Sequence, residues 1–336
     1  MFLKIRGPSN QLEMVPPTQK EFGMRFVGQL VRTFDTAYHF AILRLRTSRI
    51  LTIAAIISRV GFPSKIFWTW NVYSLGYSLR KGLNLSRFTS FKFSSDHGIA
   101  LEVKPLAQEE AIPAGTHFTW CSWREGMEFA NGREVVRIQH PWIQYRSRLG
   151  LNRKLDSQGT LVFGPHSVVG YSEEFFDLRA YIELLSALPS TFGDLTYCLH
   201  PHDVSYKTID TLRKAGVRVT TAGNSLHPLF AKRFYKIAAQ HKYATSPKIG
   251  SHLFYCHEFG LEFFLYDPEL RFQRTLTKPE GQVEVSQEYK TLVEEAFVLQ
   301  NVGLQTKEKN KLVSEALGLD LSNERFSIQS SKSSKE

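Results

Sequence analysis

KYATSPKIGSHLFYCHEFGLEFFLY, residues 242–266, is the stretch on which the reading of the fold turns. Tyr243, Ala244 and Thr245 predict a short strand, Ser246, Pro247 and Lys248 a polar corner, Ile249 to Phe259 a helix, and Phe263 to Leu265 a second, buried strand. Pro247 suits a helix entrance, because its missing N–H would have lacked an acceptor there anyway. Gly260 suits the exit, where a left-handed residue closes the last turn. Ile249, Leu253, Cys256 and Gly260 recur at i, i+4, i+7 and i+11, one face of a 3.6-residue period. The corner therefore brings Lys248, Gly250, Ser251 and the open N–H groups of a helix start to the carboxyl end of a strand. Those dipoles and the ammonium act in the same direction, which favours a phosphate or other anion. An ordinary strand-to-helix turn uses the same residues, so the neighbouring loops must decide.

The neighbours repeat the unit. Thr160 to Phe163 predicts a strand, followed by the loop Gly164, Pro165, His166, Ser167 and a helix over Glu173 to Leu188 that opens at Ser172. Leu195 to Leu199 predicts a strand ending in His200, Pro201, His202 and Asp203, then a helix from Tyr206 to Ala215 stopped by Gly216. Val217 to Thr221 predicts a strand, the loop runs from Ala222 through Gly223 and Asn224 to Ser225, and His227 to Gln240 is the next helix. Right-handed crossovers make such strands parallel and put every strand-to-helix loop on one edge. Ligands bind at that edge in open α/β sheets. His166 and Ser167, His202 and Asp203, Asn224, and Ser246 to Ser251 all fall there.

Upstream, alternation is looser. Residues 1 to about 24 are polar and broken by Pro8, Pro16 and Pro17, which predicts a loose arm. Glu21 to Ser58 has a helical pattern in which Arg32, Arg44, Arg46 and Arg49 lie among apolar residues. It reads either as a basic surface resting on an anionic membrane face or as a helical pair with solvated arginines. Phe88 to Phe93 predicts a strand leading into Asp96, His97 and Gly98, where a carboxylate beside an imidazole could serve as an acid/base pair or simply close a turn. Thr116 to Cys121 and Val135 to Ile138 predict strands, with a short helix over Ser122 to Phe129 between them. His140 then begins a strand-to-helix loop, close to Arg146. Residues 147–158 are polar, basic and aperiodic, and read as a linker and hinge. Glu284 to Gln300 and Lys307 to Leu317 predict helices, the last of which could cross back onto the first half.

The expected architecture is α/β, with two Rossmann-like domains facing a cleft and an N-terminal helical extension. The divisions are 1–59 for the arm and basic helices, 60–150 for the first α/β domain, 151–303 for the second, and 304–336 for a helix and a polar tail. Bulk composition agrees with a folded chain: 42% of the 336 residues are hydrophobic and 22% charged. Lys plus Arg exceeds Asp plus Glu by 42 − 32 = 10, which favours anionic partners. Three cysteines at no metal-like spacing fit free thiols in a reducing compartment. Met1 to Met24 lacks the apolar core of a secretory signal, so the expected location is cytoplasmic, with a peripheral contact at the inner face of the membrane through the basic helices. His200 and His202 lack a third ligand at sensible spacing, and no HExxH, P-loop, GxGxxG or GxSxG occurs. Neither a metal nor a cofactor is expected.

On residues 159–163 with His166 and Ser167, on the HPHD of 200–203, and on 243–246 running through 249–252 to 263–266, the chain resembles GT-B glycosyltransferases of bacterial surface polysaccharide pathways. The resemblance spans roughly residues 90–270. It implies a nucleotide-sugar donor, a glycan or lipid-linked acceptor, and a helix N-terminus facing the donor diphosphate; nucleic acid is not expected, because no RRM, KH or OB pattern accompanies the aromatic and basic residues of Trp68 to Leu85. Matched by position, Ser246, Lys248, Gly250 and Ser251 would meet the diphosphate and Glu258 the ribose. His166 and His202 would flank the transferring sugar, Asp96 or His97 would be the base, and His140, Arg146, Ser167, Asp203 and Asn224 would line the substrates. Residues 1–88 lack the opening strand and Gly-rich loop usual in the acceptor domain. A CDP-polyol phosphotransferase or a nucleotide-sugar epimerase would use a similar cleft, and a non-catalytic scaffold of the same fold would act at the membrane face through the Arg-rich helices of residues 21–59.

Overall fold

The computed structural model describes residues 2–6, 11–14, 33–34, 37, 72–82, 90–91, 93–110, 115–165, 172–200, 203–267, 272–276, 285–304 and 307–321. Strand β1 (Phe2–Arg6) pairs antiparallel with β2 (Gln11–Met14), and β3 (Ser90–Phe91) adds to β1 in parallel. The loose arm expected here is thus corrected over both strands: Leu3 to Arg6 alternates apolar and basic residues, and Pro8, Pro16 and Pro17 fall outside the pairing. Of the basic helical stretch 21–58, only Thr33, Phe34 and Ala37 are described, and they are helical; its arginines lie outside the described residues.

After helix α1 (Leu75–Gly82) come β4 (Phe93–Ser95), the short α2 (Ala107–Glu110), β5 (Thr116–Thr119), β6 (Glu134–Arg137) and α3 (Pro141–Arg148). The three strands form a parallel sheet in chain order. The helix expected over 122–129 contracts to a 3-10 turn, Ser122–Arg124. The second half runs β7 (Thr160–Phe163), β8 (Ser172–Phe176), α4 (Leu178–Ser186), β9 (Leu195–Cys198), α5 (Tyr206–Lys214), β10 (Arg218–Thr220) and α6 (Phe230–Ala238). It continues through β11 (Tyr243–Ser246), α7 (Ser251–Glu258), β12 (Glu262–Leu265), β13 (Phe272–Leu276), α8 (Gln287–Ala296) and α9 (Lys307–Leu317).

Strands β10, β9, β7, β11 and β12 lie side by side in that order, every pair parallel. Counted along the sheet's own strands the order is 3-2-1-4-5. The direction of winding reverses between β7 and β11, the switch point at which such sheets open a crevice. One prediction fails here. Ser172 and Glu173 start no helix; they belong to β8, which pairs antiparallel with β13 outside the main sheet. The helix begins after Asp177, whose carboxylate accepts the N–H groups of Arg179 and Ala180. Local pattern cannot register a partner strand a hundred residues away.

The larger hydrophobic cluster joins the five-stranded sheet to α1, to Trp120 and Cys121 just past β5, and to α3. At its centre Trp142, 2% exposed, has ring contacts of 4.5 Å to Tyr255, 5.3 Å to Phe234 and 5.8 Å to Tyr235. Its indole N–H donates to the Tyr73 carbonyl at 2.8 Å, as a buried indole must find an acceptor. A smaller cluster packs α4 and α5 on the other face of β7 and β9 through Val162, Tyr181, Ile182, Tyr197 and Leu212. Residues 147–158, expected as a hinge, carry two backbone bonds near their middle: Leu151 N–H bonds the Arg146 carbonyl, and Lys154 N–H bonds that of Ala239 at the end of α6.

The last helix does return to the first half. His140 N–H donates to the Leu317 carbonyl at 2.9 Å, and Arg137 holds Asp320 with two bonds of 2.9 and 2.7 Å. Gly318, at φ +65°, passes so near that a Cβ would stand 2.7 Å from the Ile138 carbonyl, so only glycine fits this exit. No helix among the described residues is long and apolar enough to cross a membrane.

Candidate functional site

Loops past the carboxyl ends of both sheets converge on the first turn of α7. Ile99 N–H, from the loop after β4, donates to Ser251 Oγ at 2.8 Å. A Cβ on Gly98 would come within 2.5 Å of the same oxygen, so the loop's backbone rests directly on that hydroxyl. Trp120, just past β5, fixes the loop from the other side by donating its indole N–H to the Gly98 carbonyl at 2.8 Å.

The loop is anchored below by Asp96, which is fully buried. Its carboxylate accepts the Thr119 hydroxyl at 2.7 Å, bonds His117 Nε2 at 3.0 Å and forms an ion pair with the Arg124 guanidinium, whose Nε lies 3.1 Å away. Arg124 also reaches Glu109 at 2.7 Å, and Arg133 donates to Ser94 Oγ, which lies 2.8 Å from His117 Nδ1. Burial would raise the Asp96 pKa, but the Arg124 charge and the His117 and Thr119 bonds outweigh it, and the net shift is downward. A carboxylate that holds its charge this firmly and has no route to solvent is a poor general base. The acid/base role expected for Asp96 with His97 is therefore corrected: Asp96 pairs with His117 and turns inward, while His97 stays half-buried beside it. Asp96, Glu109 and His117 hold potential ligand atoms within 4.8 Å of one another. Arg124 contacts both carboxylates and supplies the positive charge a cation would bring.

His140, Arg146 and Glu258 were expected to line the substrate, and each is engaged elsewhere. His140 is fully buried at the N-cap of α3, where Nδ1 accepts Trp142 N–H at 3.2 Å and Nε2 lies 2.9 Å from Tyr255 Oη. Burial pushes its pKa down to about 3. Arg146 and Glu258 pair with each other, joining α3 to α7, and Arg146 also donates to the Leu151 carbonyl. Burial raises the Glu258 carboxyl, and Arg146 opposes the shift only in part.

At the switch point, β7 ends in Phe163 and Gly164. A Cβ on Gly164 would run into the Tyr197 hydroxyl, so this floor admits no side chain. Opposite, Ser246 Oγ closes its own turn onto the Lys248 carbonyl, and Gly250 is an extended N-cap with no side-chain cap bond. His252 stacks on Phe163 at 4.5 Å and covers Gly250, where a Cβ would meet its ring at 2.5 Å. Helix α7 starts at Ser251, two residues later than expected, which leaves the corner longer and more open. Lys248, Gly250 and Ser251 are half-buried at this rim. Asn224 instead braces its own loop by accepting Leu226 N–H at 2.7 Å, and Asp203 N–H bonds the His200 carbonyl. His166, Ser167 and His202 lie outside the described residues.

Sequence reading passed over Tyr255, His117 and Arg124. Tyr255 follows Ser251 by one helical turn, a spacing that could have flagged it. Tyr73 and Ser74 both take positive φ, 52° and 56°, and Ser74 Oγ accepts Ala231 N–H in the first turn of α6, a helix whose own N-cap supplies no side chain. No local motif announces that pairing. Comparison with known protein families, curated proteins and solved structures finds no match to this chain.

Two outcomes follow for the buried groups. Asp96→Ala should destabilise the fold by about 3–5 kcal/mol, because it breaks a buried ion pair and leaves the buried Thr119 hydroxyl and His117 ring without their acceptor; urea denaturation with an unchanged midpoint would contradict the anchoring role. His140 binds a proton in the unfolded chain below about pH 6.5 but in the folded chain only near pH 3. Stability should therefore fall as pH drops through that window, by up to on the order of 4 kcal/mol from this group. His140→Asn, which keeps an N-cap acceptor and does not titrate, should flatten the difference when both proteins are melted from pH 7 to pH 4.

Proposed function

We propose that the chain is a GT-B-type glycosyltransferase that holds a nucleotide-activated sugar at the switch point of the five-stranded sheet. The observation that carries the proposal is the 3-2-1-4-5 parallel order with the first turn of α7 facing the reversal between β7 and β11. Docking of the Gly98–Ile99 loop on that same turn supports a site to which both sheets contribute. In this reading the two parallel sheets belong to two Rossmann-like domains, and the acceptor, a glycan or lipid-linked hydroxyl, arrives from the side of β4.

The chemistry asked of the protein is modest. Transfer leaves a nucleoside phosphate, and groups aimed at its developing charge lower the barrier. Lys248, Ser251 and the first-turn amides of α7 supply these without a metal. His97, half-buried at the start of the loop that docks on α7, takes the role of base toward the acceptor hydroxyl. Arg146 and Glu258 hold α3 and α7 together and leave the ribose to other groups.

Thermal-shift measurements with UDP, GDP, CDP and CMP test the reading. One of them at 100-fold above its Kd should add about 2.7 kcal/mol, a rise of several degrees in Tm. Lys248→Ala combined with Ser251→Ala should abolish the shift while the unliganded protein stays folded, its Tm lowered by a few degrees through loss of the Ile99 bond. No stabilisation by any nucleotide would contradict the proposal and favour a non-catalytic scaffold.

A further inference from the structure

The edge of the five-stranded sheet opposite the switch point carries a surface of a different kind. Helices α3, α6 and α7 each start past the carboxyl end of a strand and so finish toward this opposite edge, where residues 147–158 run past their ends. Lys154 N–H bonds the Ala239 carbonyl just past α6, and its ammonium donates to Gln240 Oε1 at 2.7 Å. Arg153 Nε comes within 3.7 Å of where a Cβ would stand on Gly260, just past α7. A tight turn follows, closed by Ser157 N–H on the Lys154 carbonyl at 3.2 Å and braced by Arg153, which donates to Ser157 Oγ at 2.8 Å. Leu155 sits at its first corner, 99% exposed, the most exposed large apolar side chain among the described residues. Leu149, where α3 ends, is also exposed.

Charge here is one-sided. Residues 147–158 and 236–243 hold Arg148, Arg153, Lys154, Lys236 and Lys242 against the single carboxylate of Asp156, a net of 5 − 1 = 4 positive charges. The next carboxylates along the edge are engaged: Asp194 lies 3.9 Å from Arg218, and Glu262 accepts Gly303 N–H at 3.4 Å. Helix dipoles favour cations in the last turns of α3 and α6, but they ask for no leucine, and turns are ordinarily built from polar residues, glycine and proline. Cations flanking a bare leucine fit an anionic bilayer: the charged groups meet the headgroups while the leucine reaches the acyl boundary. A nucleic acid would leave the leucine in water, since bases stack on aromatic rings and residues 147–158 contain none. We propose that this edge rests on the surface of an anionic membrane, with Leu155 as its inserting tip. The surface is distinct from the Arg-rich stretch 21–58, and the proposal holds whether or not the switch point takes a nucleotide. A chain docked this way keeps its crevice, at the far end of the strands, open to the aqueous side.

Flotation of the intact chain with lipid vesicles tests this. Vesicles of equal parts phosphatidylcholine and phosphatidylglycerol should carry the wild type upward, pure phosphatidylcholine should not, and the binding should weaken as salt is raised. Leu155→Ser changes a fully exposed position, so the fold should be unaffected, with an unchanged Tm as the check. Its affinity for the anionic vesicles should fall about tenfold, the worth of one leucine withdrawn from the acyl boundary. Arg148→Gln together with Lys242→Gln should weaken binding about fivefold for each charge removed. A wild type that stays at the bottom, or floats equally with both vesicles, would overturn the proposal. Variants that float as well as the wild type would overturn it too, by moving the contact to another surface. Retention on a single-stranded oligonucleotide in place of vesicles, unchanged by Leu155→Ser, would overturn it in favour of nucleic acid.

Discussion

Asp96 is a charge with no access to water, and much of the upper surface depends on how that charge is satisfied. Taking a carboxylate out of water costs several kcal/mol, which only close and well-directed partners offset. Arg124, His117 and Thr119 do so from three directions, each donor within about 3 Å. The side chain therefore cannot turn outward without leaving the buried Thr119 hydroxyl and His117 ring unpaired, and this holds the path of its loop. On that path Gly98 and Ile99 land on Ser251, and Trp120 closes over the Gly98 carbonyl. Such a cluster adds little net stability compared with an apolar core of equal volume. Its contribution is to fix one geometry, and that geometry brings the loop of one sheet to the helix of another.

The shared aromatic core makes the same connection on a larger scale. Trp142 packs against Tyr255 of α7 and Phe234 of α6, although it lies on the helix that leaves the three-stranded sheet. The returning α9 adds backbone and ion-pair contacts to Arg137 and His140. The Arg146–Glu258 pair stitches α3 to α7 near the outside of the same seam. Interactions of three kinds thus act along one line, so a change at α7 is felt on both sides of it.

Much of the second half was legible because its signals are local. Strands around Leu161, Tyr197, Val219, Ala244 and Phe263 each lie between turn-forming residues, and glycines at 216 and 260 mark helix exits that the structure keeps. Parallel pairing followed from crossover handedness alone. What escaped was whatever depends on partners far along the chain. Glu173 reads as a helix start until β13 is known to lie beside it. Asp96 and His97 read as a pair because they are adjacent, whereas the imidazole that meets the carboxylate comes from residue 117. Arg146 and Glu258 look available in sequence because neither shows the other. At the rim the turn after β11 falls where its residues predict, with α7 beginning two residues later, but the bond from Ile99 N–H to Ser251 Oγ was invisible, since its partners are separated by more than a hundred residues.

Hydrogen exchange with and without bound nucleotide tests most directly the claim that both sheets serve one site. Amides of residues 97–99 and of residues 246–252 should gain protection together, at the same nucleotide concentration. Protection confined to one of these segments, or found only away from both, would contradict it.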